Sequence, residues 1–134
     1  MSNSKDCACS QAPAFIFACS GAADVGEVAD QAARRLSASG QAKMFCLAGI
    51  GGRVSGILKS TEAASKILVI DGCSLDCARH TLEEAGFREF AHVSLGTIGM
   101  PKGATPPTEE NIARAVGEAR QKLDSWPGGS CREA

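Results

Sequence analysis

Short, wholly apolar runs alternate along this chain with longer stretches of helical spacing. Ala14-Phe15-Ile16-Phe17-Ala18 reads as a strand buried on both faces, because no polar residue interrupts it. It stops at Cys19-Ser20-Gly21. From Asp24 to Ser39 the apolar positions Val25, Val28, Ala29, Ala32 and Leu36 form one helical stripe. The acids Asp24, Glu27 and Asp30 come early and Arg34 and Arg35 late, which suits the helix dipole. Gly40 follows where a helix terminus favours glycine.

The unit then repeats. Met44-Phe45-Cys46-Leu47 predicts a second strand, followed by the glycine-rich turn Ala48-Gly49-Ile50-Gly51-Gly52. A helix over Val54 to Ala64 would carry Val54, Ile57, Leu58 and Thr61 on one side. Ile67-Leu68-Val69-Ile70 is the clearest strand and ends at Asp71-Gly72-Cys73. A third helix is expected from Leu75 to Ala85, with Leu75, Ala78, Leu82 and Ala85 inward. Phe90 to Leu95 makes a fourth strand and Gly96 to Pro107 a loop rich in Gly and Pro. Thr108 opens a last helix lined by Ile112, Ala115, Val116, Ala119 and Leu123.

Strands alternating with helices at this spacing mean βαβ units and a parallel sheet covered on both faces. Crossovers are right-handed in nearly all cases, so covering both faces needs one reversal of strand order. The expected fold class is α/β: a three-layer α/β/α sandwich on a four-stranded parallel sheet of order 2-1-3-4, flavodoxin-like or Rossmann-like, with two helices on each face. Residues 14–126 make one domain, and residues 1–13 and 127–134 are read as flexible ends. A chain of 134 residues holds one real core and not two.

Charge and composition narrow the function classes. A net charge of −1 offers no electrostatic case for nucleic acid or an anionic membrane. No apolar run approaches the roughly 18 residues of a membrane span. The polar stretch Met1 to Gln11 is not a signal peptide. The expected location is therefore the cytoplasm. Seven cysteines in such a chain change the question, because disulfide frameworks are rare in a reducing compartment. Clustered thiols there lean towards metal or redox chemistry.

The first three strands each deliver a cysteine at or near the carboxyl end: Cys19, Cys46 and Cys73, with Cys77 one helical turn later. In the order 2-1-3-4 these strands are neighbours, roughly 4.8 Å apart. Four sulfurs can then converge on one ion, whose bonds of about 2.3 Å place its ligands a little under 4 Å apart. A Cys73–Cys77 disulfide fits less well, since helical positions four apart hold their β-carbons about 5–6 Å apart, against about 3.8 Å in a disulfide. Helix N-termini just beyond these positions would hold the net negative charge of a metal tetrathiolate. The same field would also activate a thiol as nucleophile. Against both stands the use of cysteine as a small core residue, most plausible for Cys46 inside its apolar run. Cys7 and Cys9 could reach over as extra ligands but read as tail residues, and Cys131 reads as incidental.

Cys19-Ser20-Gly21-Ala22-Ala23-Asp24-Val25-Gly26, Cys46-Leu47-Ala48-Gly49-Ile50-Gly51-Gly52 and Asp71-Gly72-Cys73-Ser74-Leu75-Asp76-Cys77-Ala78 resemble, in that order, the three blocks of the DGC-domain family. The likeness spans roughly residues 14–120. It implies that Cys19, Cys46, Cys73 and Cys77 are zinc ligands, since the family's shared cysteines are taken as such. The family often has proline where this chain has Ser74, a change that removes no ligand. No established activity comes with the resemblance.

The metal-binding reading, with zinc or another thiophilic ion stored, delivered or sensed, has a thiol enzyme as its alternative. In that reading Cys73 and Cys77 exchange redox equivalents, or Cys73 attacks while Arg79 binds an oxyanion, as in cysteine phosphatases and arsenate reductases. Asp76 inside that loop would repel a phosphate. Gly49-Ile50-Gly51-Gly52-Arg53 is neither a dinucleotide fingerprint nor a Walker loop. His80 reads as exposed, His92 has no assigned role, and Asp24 and Asp71 are expected to cap helices.

Overall fold

A computed structural model describes residues 12–126 of the chain. The cysteines at 7, 9 and 131 and most of the two expected flexible ends lie outside the described residues. Four parallel strands, β1 (Ala14–Ala18), β2 (Lys43–Met44), β3 (Lys66–Asp71) and β4 (Ala91–Ser94), form one sheet in the order β2-β1-β3-β4. Five helices accompany them: α1 (Asp24–Ala38), α2 (Leu47–Gly51), α3 (Ser55–Glu62), α4 (Cys77–Glu84) and α5 (Glu109–Ser125). The α/β sandwich and its strand order are those the pattern predicts; the helices number five rather than four.

Successive strand residues point to opposite faces. Ile16, Ala18, Leu68, Ile70, Ala91 and Val93 therefore pack on one side against α1 and α5. Phe15, Phe17, Ile67 and Val69 pack on the other against α2, α3 and α4. All five stripe residues foreseen for α1 and all five for α5 are buried. Thr108 caps α5 by accepting a hydrogen bond from the Asn111 N–H at 3.2 Å.

The second βα unit departs from expectation. The strand foreseen over Met44 to Leu47 is only Lys43–Met44, paired with Phe15 and Ile16 at the sheet edge. Phe45 keeps one backbone bond to β1, its N–H donating to the Ile16 carbonyl at 2.9 Å, and stacks its ring on Phe15, with centroids 4.1 Å apart. Cys46 becomes the N-cap of α2, whose residues were foreseen as a turn. Val54 and Leu75, expected inward, are 52% and 62% exposed. Leu75 precedes the start of α4, because Asp76 takes a left-handed conformation (φ 52°, ψ 46°) that resets the chain before helix begins at Cys77. Only from Ala78 onward does the apolar stripe turn inward.

A candidate metal centre at the carboxyl edge of the sheet

The reversal of strand order lies between β1 and β3, and both strands end in chemistry. The Cys19 N–H donates to the Ile70 carbonyl at 3.1 Å, extending the β1–β3 ladder by one residue and fixing Cys19 beside the end of β3. Two glycines make the close approach of the loops feasible. A β-carbon on Gly72 would stand 2.8 Å from the Val25 backbone, and one on Gly26 2.5 Å from the Gly21 carbonyl oxygen. Both distances are far inside van der Waals contact, so the loops after β1 and β3 rest directly on the first turn of α1.

All four cysteines are free thiols at this edge. Cys19 and Cys73 are half-buried, while Cys46 and Cys77 are exposed. Burial pushes the Cys19 thiol above its ordinary value; backbone N–H groups of Gly21 and Gly72 work against this, and the charges of Asp71 and Cys77 add to it. Cys46 Sγ accepts a hydrogen bond from the Gly49 N–H at 3.3 Å, so the residue most open to a space-filling role is instead exposed at a helix entrance. Cys19 and Cys46 line one open cleft of about 810 Å³, together with Asp30, Arg34 and Thr81. Thr81 reaches it from α4 and donates to the Cys77 carbonyl at 2.7 Å. Cys73 and Cys77 are not in the lining of that cleft.

Asp71 ties three elements of the edge together, from the end of β3 to α4 and β4. It is 1% exposed. Its Oδ1 accepts from the Ala78 N–H at 2.7 Å and its Oδ2 from the Arg79 N–H at 3.0 Å. These are two of the donors that a helix start leaves without an intrahelical partner. Asp76, at the N-cap position, makes no side-chain cap. Asp71 thus caps α4 from five residues before the N-cap and locks Cys77, the first residue of the helix, to the end of β3. Asp24 does a related job at α1, accepting from Val25, Gly103 and Thr105 N–H groups at 2.7, 2.9 and 3.0 Å. Asp71 thus caps a helix as expected, whereas Asp24 is the first residue of α1 rather than its N-cap and chiefly ties down the loop at Gly103 and Thr105.

His92, given no role by the sequence, bonds through Nε2 to Asp71 Oδ2 at 2.9 Å. The β3–β4 register pairs Val69 with His92 and Asp71 with Ser94, so His92 and Asp71 share a sheet face as diagonal neighbours. The only sequence signal was the alternation in Ala91-His92-Val93-Ser94, whose polar members point to the α4 side. Among the described residues, Asp71, Asp76 and His92 form a set of donor atoms that all lie within 4.8 Å of one another. As the side chains stand, the four sulfurs do not make such a set. His80 is exposed as expected, 3.6 Å from Glu83. Arg79 pairs with Asp76 at 3.0 Å and Glu83 at 3.4 Å, so its guanidinium is engaged on its own helix.

A profile of the DGC domain matches residues 15–119, which hold all four of these cysteines and the Asp71-Gly72-Cys73 segment. The chain belongs to the DGC-domain family. It is 31% identical over 118 residues to the anaerobic and virulence modulator AnvM of Pseudomonas aeruginosa, covering 88% of this chain and 89% of that protein. No solved structure matches. Among the described residues no helix is long and apolar enough to cross a membrane.

Proposed function

We propose that this DGC-domain protein binds a thiophilic metal ion, zinc foremost, through Cys19, Cys46, Cys73 and Cys77, and that binding serves sensing rather than storage. The observation that carries this reading is topological: three consecutive βα units each bring a free cysteine to the same sheet edge, beside the reversal of strand order. The donor set fits zinc, because thiolates are soft ligands and four of them make a closed tetrahedral structural site. Cys46 and Cys77 are exposed and Cys19 and Cys73 half-buried, so an ion arriving from solvent can reach these thiols. Bound zinc would supply cross-linking of three chain segments and no redox chemistry. The related protein's name, a modulator, suits a regulator whose shape depends on metal occupancy.

The oxyanion form of the thiol-enzyme alternative draws less support, because Arg79 is held by Asp76 and Glu83. Thiol accessibility separates the readings. Protein purified without added metal should carry zinc, and its four edge cysteines should label slowly until a chelator is added. A Cys73→Ser variant should lose that zinc. Rapid labelling of Cys73 alone in the protein as isolated would instead favour a nucleophile.

A further inference from the structure

We propose that Asp71, Asp76 and His92 form a second divalent-cation site, of oxygen and nitrogen donors, that is separate from the cysteines and independent of whether they bind metal. The three donors come from three elements: the end of β3, the entrance to α4 and the middle of β4. Ligands bound to one ion at about 2.1 Å stand roughly 3–4 Å from each other. Asp71 Oδ2 is 2.9 Å from His92 Nε2, and Asp76 Oδ1 is 3.7 Å from the same nitrogen.

The second observation is an orphan. Asp76 Oδ1 is buried and has no hydrogen-bond partner. His92 Nε2 stands 3.7 Å from it, a separation too long for a hydrogen bond. A buried carboxylate oxygen left unpaired by protein costs free energy, which a bound cation would offset. Its other oxygen is tied to Arg79, so the carboxylate is fixed in orientation with Oδ1 turned towards His92. Asp76 also stands in a left-handed backbone conformation, unfavourable for a residue with a β-carbon, without capping α4. Such strain persists where surrounding structure enforces it, commonly at ligand sites. Here the carboxylate lies between α4 and β4, with Oδ2 on Arg79 and Oδ1 on the His92 side.

Two carboxylates and one imidazole select an ion of intermediate hardness, with manganese(II) or zinc(II) as the chemical class. His92 and Asp76 are 23% and 18% exposed, so the position is reachable from solvent. Three protein ligands also leave coordination positions for water.

Manganese(II) is the probe, because thiolates compete weakly for it and its free ion is counted by electron paramagnetic resonance. Titration of the wild-type protein should remove one manganese ion per chain from the free signal. Asp76→Asn should weaken that uptake at least about tenfold while leaving the fold intact, since Asp76 makes no side-chain cap. His92→Gln should weaken it too, and should it fail to fold, Asp76→Asn alone decides. Cys77→Ser should leave uptake unchanged. Absence of uptake by the wild type, which a buried water at the orphan oxygen would produce, overturns the proposal. So does uptake indifferent to Asp76→Asn, or uptake lost with Cys77→Ser, which would move the ion to the cysteines.

Discussion

On one side of the sheet, α1 and α5 run for 15 and 17 residues and bury continuous apolar stripes against β1, β3 and β4. On the other, α2, α3 and α4 are only 5, 8 and 8 residues long, and much of the chain between them is exposed. Positive-φ residues, Arg53 and Asp76, stand at the entrances of α3 and α4, and Cys46 and Cys77 sit at the starts of α2 and α4. Helix length is the physical difference. A long helix stabilises itself by burying an apolar face over several turns. A short one needs its ends held by outside partners, and at α4 the partner is Asp71. The regular side supplies stability, and the interrupted side presents polar and thiol groups at fixed positions.

That contrast can be broken by mutation, beginning with the largest effect. Leu68→Ala, within the α1/α5 core, should cost about 3–4 kcal/mol, whereas Ile57→Ala on half-buried α3 should cost about 1–2 kcal/mol. Urea unfolding followed by circular dichroism measures both, and equal losses would erase the distinction between the sides. Asp71→Ala strips an acceptor from three donors and should cost about 3 kcal/mol. Hydrogen exchange should show its loss of protection concentrated at Ala78 and Arg79; uniform loss would deny Asp71 its capping role. Gly72→Ala forces the β3–α4 loop off α1 and should cost about 1–3 kcal/mol, read as a lowered urea midpoint.

A smaller effect comes from pH. Hydrogen bonds from the Gly103, Thr105 and Val25 N–H groups hold the Asp24 carboxyl below its ordinary value. The folded form is then the stronger acid. Its stabilisation is present above the unfolded value of about 3.9 and is lost as pH falls through the folded value. Asp24→Asn should flatten the acid limb of the stability–pH curve, and an unchanged limb would contradict the assignment. Smaller still, Cys19 in metal-free protein should need a higher pH to label than a free cysteine, because burial disfavours its thiolate.

Legibility followed the same division. The stripes of α1 and α5 read directly from spacing, since a long amphipathic helix repeats its signal many times. Strand order followed from the handedness of crossovers. Around the cysteines the signal failed in detail. Met44-Phe45-Cys46-Leu47 has the composition of a strand, yet the paired strand ends at Met44, Phe45 stacks on Phe15 while its N–H still bonds to Ile16, and Cys46 caps α2. Leu75 fits a helical stripe by spacing, but the left-handed Asp76 breaks the phase and leaves it exposed. Positions of all four cysteines at the carboxyl edge were legible because parallel topology fixes them. The Asp71–His92 bond was not, because it depends on the β3–β4 register, which no local pattern encodes.

The most direct test of the account loads the metal-depleted protein with cobalt(II). Thiolate ligands give cobalt an intense near-ultraviolet charge-transfer absorption that oxygen and nitrogen donors do not give. The account predicts that absorption in the wild type, its weakening by Cys19→Ser, Cys46→Ser, Cys73→Ser or Cys77→Ser singly, and its persistence in Asp76→Asn. Cobalt bound with no charge-transfer band, or a band indifferent to all four cysteine substitutions, would contradict the claim that these cysteines hold the metal.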